Sequence, residues 1–154
     1  MSSASNLAVA LTDCLENITI ANGYATDLGV KVLRGRRRLT DADLPCVVII
    51  EGDDRVMSES RSAQIPNARR KQVKLEQMYT LEGHLPCDPD HPNDAAHAAI
   101  ADLKKAVFKD VTLGGLVRDI DYAGRMISAR EDGIDVVSGA IIIKLDYTED
   151  LANP

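Results

Sequence analysis

The chain has 154 residues, of which 45% are hydrophobic and 27% charged, and its net charge is −6. That length is one domain, 1–154, and it buries about 68–70% of its unfolded surface without needing staples. The composition is that of a soluble globular domain, and no apolar run approaches the roughly 20 residues that cross a bilayer, so no membrane partner is expected.

The opening residues Met1-Ser2-Ser3-Ala4-Ser5 carry no basic region and no long apolar core. They do not read as a secretory signal, and Ser2 stands where myristoylation takes a glycine, so residence in the cytosol is the expectation. Leu7, Leu11, Leu15 and Ile18 recur at steps of three and four. That spacing predicts an amphipathic helix over 5–18, with Ser5 as N-cap and Asn22-Gly23 as its stop. A short strand follows near 28–33, then the basic turn Arg34-Gly35-Arg36-Arg37-Arg38. Leu44-Pro45 introduces a strand over 46–51, where Val47, Val48, Ile49 and Ile50 are consecutive. A short β-branched run, apolar on both faces, suits a central strand.

Residues 52–70 show no sustained period and predict a long loop or extended arm. Over 70–81 alternation returns, with Val73, Leu75, Tyr79 and Leu81 on one face and Gln77 interrupting it. Residues 83–93 form a loop rich in Pro and Asp, and Pro92 is placed to open a helix running to about 109. Ala96, Ile100, Leu103 and Val107 make its apolar stripe, and Lys104, Lys105 and Lys109 suit its C-terminal dipole.

After Gly114-Gly115 comes a predicted β-hairpin. Its incoming strand, 116–128, places Leu116, Ile120, Tyr122 and Met126 on one face. Residues 129–133 make the turn, ending in Asp-Gly, and the outgoing strand covers 134–147. Val137, Ile141, Ile143, Leu145 and Tyr147 share one face of it, and Val136, Ala140 and Ile142 the other. The fold class is α+β: a mixed, mainly antiparallel sheet with two helices packed on one face, plus the arm or loop. One sheet face is thereby left needing cover at Val48, Val136 and Ile142.

Candidate chemistry is sparse. His84, Cys87 and His91 lie close in sequence and offer zinc-type ligands, with His97 a turn further on. They lack a fourth ligand at a usual spacing, and the plainer reading is a solvated loop that starts a helix, so no metal and no cofactor is assigned. Cys14, Cys46 and Cys87 are an odd number without a CxxC pair, which fits thiols in a reducing compartment. Gly114-Gly115 has no Lys-Ser/Thr pair and is no phosphate loop. Ser58 and Ser60 have no nucleophile-elbow glycines. Asp119 and Asp121 share a strand face without a nearby His or Lys in sequence, which reads as polar surface rather than an acid–base pair. No catalytic residue emerges.

Charge is the stronger signal. Residues 31–74 hold 11 Lys+Arg against 6 Asp+Glu, whereas the remainder holds 7 against 18. A basic middle in an acidic body suits head-to-tail packing of copies or a partner of mixed charge. The candidate interface residues are Arg36, Arg37 and Arg38 in one basic cluster and Arg69, Arg70 and Lys71 in another. Each is otherwise an exposed, solvated turn. Aromatics are 3% of the chain, too few for stacking single-stranded nucleic acid.

Four stretches together resemble the tail terminator and tail completion proteins of long-tailed bacteriophages. They are Ile20-Ala-Asn-Gly-Tyr-Ala-Thr-Asp-Leu-Gly-Val, Leu44-Pro-Cys-Val-Val-Ile-Ile-Glu-Gly, Asp110-Val-Thr-Leu-Gly-Gly-Leu and the final strand ending Tyr147-Thr-Glu-Asp before Asn153-Pro154. The resemblance covers most of the chain in order, although none of its pieces is a chemical motif and residues 52–70 match no family pattern. It implies a structural virion protein without catalytic residues. Such a protein forms a ring of six subunits at the head-proximal end of the tail, assembled in the host cytoplasm. The partners it implies are the protein itself, the major tail tube protein and the head–tail connector, with DNA passing through the lumen. A neck protein joining head to tail is the alternative, and a small metal-dependent enzyme using His84, Cys87 and His91 is the alternative of another class.

Overall fold

The computed structural model describes residues 1–61, 71–128 and 135–154. The turn expected at 129–133 and the residues Arg69 and Arg70 lie outside the described residues. Helix α1 spans Ser3–Glu16, and strand β1 spans Val32–Arg34. Strands β2, Cys46–Arg61, and β3, Lys71–Pro86, follow. Helix α2 is Pro92–Val107, and strands β4, Asp119–Ser128, and β5, Val136–Asp150, complete the chain. Short 3-10 turns occur at Ile20–Asn22, Leu28–Val30 and Asp41–Asp43.

The strands form one sheet in the order β1-β2-β3-β5-β4. β1 runs parallel to β2, and every other pairing is antiparallel. This is the expected α+β fold with a mixed, mainly antiparallel sheet. Cross-strand partners share a face. The inner face therefore carries Val47 and Ile49 of β2, Leu75, Tyr79 and Leu81 of β3, and Val137, Ile141, Ile143 and Leu145 of β5, all buried. Leu7, Leu11 and Leu15 of α1 and Ala99, Ile100 and Leu103 of α2 join the same core.

Two glycines let the chain approach itself closely. A Cβ on Gly139 would stand 2.5 Å from the Ala96 carbonyl oxygen of α2, and one on Gly29 would stand 2.5 Å from the Leu15 oxygen of α1. Glycine is required there because the backbones touch.

Local differences from the sequence reading have physical causes. The N-cap of α1 is Ser2, whose side chain accepts from Ser5 N–H at 3.3 Å, so the helix starts two residues ahead of the predicted 5–18. Residues 28–33 divide into a 3-10 turn and the short β1. Pro92 does open α2. Residues 83–86 belong to β3 rather than to the loop before α2.

The aperiodic stretch at 52–70 is corrected over its first part, since 52–61 continue β2. No burial period marks them because residues 51–59 are exposed throughout. Ladder hydrogen bonds to β3 hold the strand instead, interrupted by bulges between Glu51 and Asp54 and between Val56 and Ser58. Gln77, the interruption in the apolar face of β3, donates its side-chain N–H to the Gly52 carbonyl inside the first bulge. A buried polar residue thus satisfies a carbonyl that the bulge takes out of the ladder.

The face predicted for the incoming hairpin strand is also corrected. Leu116 precedes β4, and a register shift between Tyr122 and Gly124 swaps the faces. Ile120 and Tyr122 lie on the inner side opposite Leu145 and Ile143, whereas Met126 lies on the outer side opposite Ala140.

Candidate functional site

Both helices pack on the inner face, and no described helix covers the outer one. Its side chains stand in rows across the strands. One row is Val48, Glu82, Ala140 and Met126, and the next is Ile50, Thr80, Ile142 and Gly124. Met78 is 40% exposed and Met126 is 48% exposed, so this apolar strip meets solvent. Val48 and Ala140 are themselves buried, and Val136 and Ile142 are half-buried.

Towards one end the rows turn acidic. Met78, Lys144 and Asp121 form one row, and Glu76, Asp146 and Asp119 the next. Carboxylate oxygens of Glu76, Asp121 and Asp146 lie within 4.8 Å of one another. Lys144 Nζ reaches Glu76 Oε1 at 3.2 Å. Burial raises the pKa of Asp146 first, then repulsion from Asp121, Glu76 and Asp119, against an opposing pull from Arg118. Asp146 Oδ1 is buried and has no hydrogen-bond partner among the described residues. Asp146 also lines a cavity of about 200 Å³ with Arg118, Lys74 and Thr148. The expected shared face of Asp119 and Asp121 is therefore present. The nearby lysine missing from the local sequence is supplied across the ladder as Lys144. Glu76 and Asp146 were missed because their meeting depends on strand order. Their even positions on alternating strands were the available signal.

The basic turn lies at the opposite edge of the sheet, directly after β1. Arg34 pairs with Glu51 at 2.9 Å, and Arg37 donates to the Arg34 carbonyl. Arg36 and Arg38 are exposed and make no ion pair among the described residues. Lys71 starts β3 and pairs with Glu59 at 2.8 Å, far from this turn in the sheet register. The two predicted basic clusters are thus separate features.

The three residues weighed as zinc ligands, His84, Cys87 and His91, form no ligand group among the described residues. His84 faces outward from β3 and contacts Glu82 at 3.1 Å. Cys87 follows the strand and is half-buried, and His91 occupies the N-cap position of α2. None of the three belongs to the Glu76–Asp121–Asp146 group, the one three-ligand grouping among the described residues. His97 Nδ1 lies 3.1 Å from Arg125 Nη1 on β4.

A second concavity, about 570 Å³, opens between the C-terminal ends of α1 and α2, with Cys14, Asn17, Asn22 and Tyr24 in its wall. The Cys14 thiol donates to the Ala106 carbonyl at 3.1 Å, and burial pushes its pKa up, which suits a packing thiol rather than a nucleophile. Lys105 stands 4.7 Å from the Tyr24 ring centroid and also donates to the Gly23 carbonyl, so its charge is already engaged. Compared with known proteins, the chain matches no family model and no curated protein.

Proposed function

We propose that this chain is a structural assembly protein, a phage tail terminator that closes into a ring on the head-proximal end of the tail tube. The observation that carries the reading is the open outer sheet face. Two helices serve one side of a five-stranded sheet, while a partly exposed apolar strip faces away from them. A repeated contact between unlike surfaces of identical copies covers such a strip and closes a ring when the rotation is right. The unequal distribution of charge supports the same reading, as does the resemblance of the four sequence stretches. Six subunits follow from that resemblance alone.

In this role the ring stops polymerisation of the tube protein, presents a surface to the head connector and lets DNA pass through its lumen. No turnover is assigned to it. Sedimentation velocity of the purified chain over a range of concentrations tests the reading. A discrete ring, or one formed on addition of tail tubes, supports it. Monomers at every concentration and in phage lysates overturn it. Loss of length control in tails lacking this protein separates a terminator from a neck protein.

A further inference from the structure

We infer that the acidic rows at the β4 edge are the docking surface for the Arg34–Arg38 turn of a second copy of this chain. The inference deepens the ring reading and rests on it. The occupant is identified by charge and by position. At the acidic edge stand the carboxylates Glu76, Asp119, Asp121 and Asp146 against the cations Lys144 and Arg118. Of these carboxylates Asp119 and Asp121 are exposed and can be reached from outside the subunit. At the other edge, Arg36 and Arg38 are exposed cations without a carboxylate among the described residues.

The acidic rows run from the central strand β3 out to the β4 edge, and the basic turn lies at the other edge, in the order β1-β2-β3-β5-β4. They are offset from each other along the strands. Arg34 shares a row with Ile49, Leu81 and Ile141, whereas the acidic rows lie at Lys144 and Asp146, three and five residues further along β5. A contact that joins one edge of a copy to the acidic rows of the next, with the copies displaced along the strands, is heterologous and repeats from copy to copy. Guanidinium groups suit the site because their planar forks engage carboxylates in pairs. The apolar strip around Met78 and Met126 lies beside the acidic rows and would be shielded by the same contact.

A charge-swap series tests this. One chain carries Arg36→Glu and Arg38→Glu, a second carries Asp119→Lys and Asp121→Lys, and a third carries all four changes. These side chains are exposed, and circular dichroism checks that each chain is folded as the wild type. Sedimentation velocity should show that each half-reversed chain assembles roughly tenfold or more weakly than wild type, because like charges then meet at every contact. The fully reversed chain should recover assembly. Half-reversed chains that assemble as tightly as wild type, with or without added divalent cation, overturn the contact while leaving a ring intact. A folded, fully reversed chain that stays apart overturns it as well. Half-reversed chains that form normal rings but fail to complete tails place a different protein on the acidic rows, again against the inference. A wild-type chain that never assembles removes the ring reading itself.

Discussion

Asp102 of α2 holds the segment before β1 through Thr26. Its Oδ2 accepts from the Thr26 hydroxyl at 2.7 Å and from Thr26 N–H at 2.8 Å, while Oδ1 accepts from Ala25 N–H at 3.1 Å. The residue is 4% exposed, so a buried carboxylate is satisfied wholly by donors 76 or 77 positions away in the chain. This ties the turn after α1 to the second helix and fixes how α1 lies over the sheet.

Asp102→Ala should therefore destabilise the fold by about 2–4 kcal/mol, since three donors lose a charged acceptor in a buried place. Asp102→Asn should lose about half as much, because one carbonyl oxygen remains. Urea unfolding followed by circular dichroism measures both. The midpoint should fall while the slope stays constant. A midpoint unchanged in Asp102→Ala would show that the anchor contributes nothing.

Gly139→Ala should destabilise by about 1–3 kcal/mol, because its new Cβ would stand 2.5 Å from a backbone oxygen of α2 that has no flexible end to yield. Gly83→Ala should be milder. Its nearest neighbour is the end of the Leu28 side chain at 3.0 Å, which rotates more easily. Comparing the two melting temperatures checks the ranking, and equal shifts would argue against the close helix–sheet approach.

Much of this fold was legible because burial and period agree. β5 is buried on both faces from Val137 to Ile141 and alternates from Ile141 to Tyr147, and α2 carries its stripe at Ala96, Ile100, Leu103 and Val107 with Pro92 at its start. Legibility failed where hydrogen bonds rather than burial hold the chain. Residues 52–61 are strand without an apolar face, and the irregularity before Gly124 breaks the alternation that a straight strand would keep. The acidic rows were only half visible. Asp119 and Asp121 are close in sequence, but Glu76 and Asp146 join them through a strand order that local pattern does not encode.

Two aspartates should move stability with pH in opposite senses. The Lys31 ammonium and the Thr40 N–H and hydroxyl hold the Asp43 carboxyl at about 2, below its usual 3.8. Its stabilising contribution is full above 3.8 and is lost as pH falls through about 2, so Asp43→Asn should flatten that part of the acid limb. Asp146 has a raised pKa, from burial and then its carboxylate neighbours, so its contribution is full below the usual 3.8 and is lost as pH rises through the raised value. Asp146→Asn should consequently raise the melting temperature at neutral pH and lose that advantage in acid. Melting curves of the two variants across the acid range decide both signs, and parallel curves for wild type and variants would defeat the assignment.

The outer face offers the most direct separation of folding from assembly. Met78 and Met126 are about half exposed in the single subunit and sit on the two sides of Ile142, one on β3 and one on β4. Changing both to Glu adds charge where the isolated chain already meets water, so the monomer should lose no more than about 1 kcal/mol of stability. In a ring the carboxylate at 126, in the Ala140 row and away from the acidic rows that take the arginine turn, would be buried against a neighbour without a partner, which is far more costly. The double variant should unfold like wild type in urea yet remain monomeric in sedimentation velocity where wild type assembles. Full assembly of the variant would show that the apolar strip stays open to solvent in the assembled state.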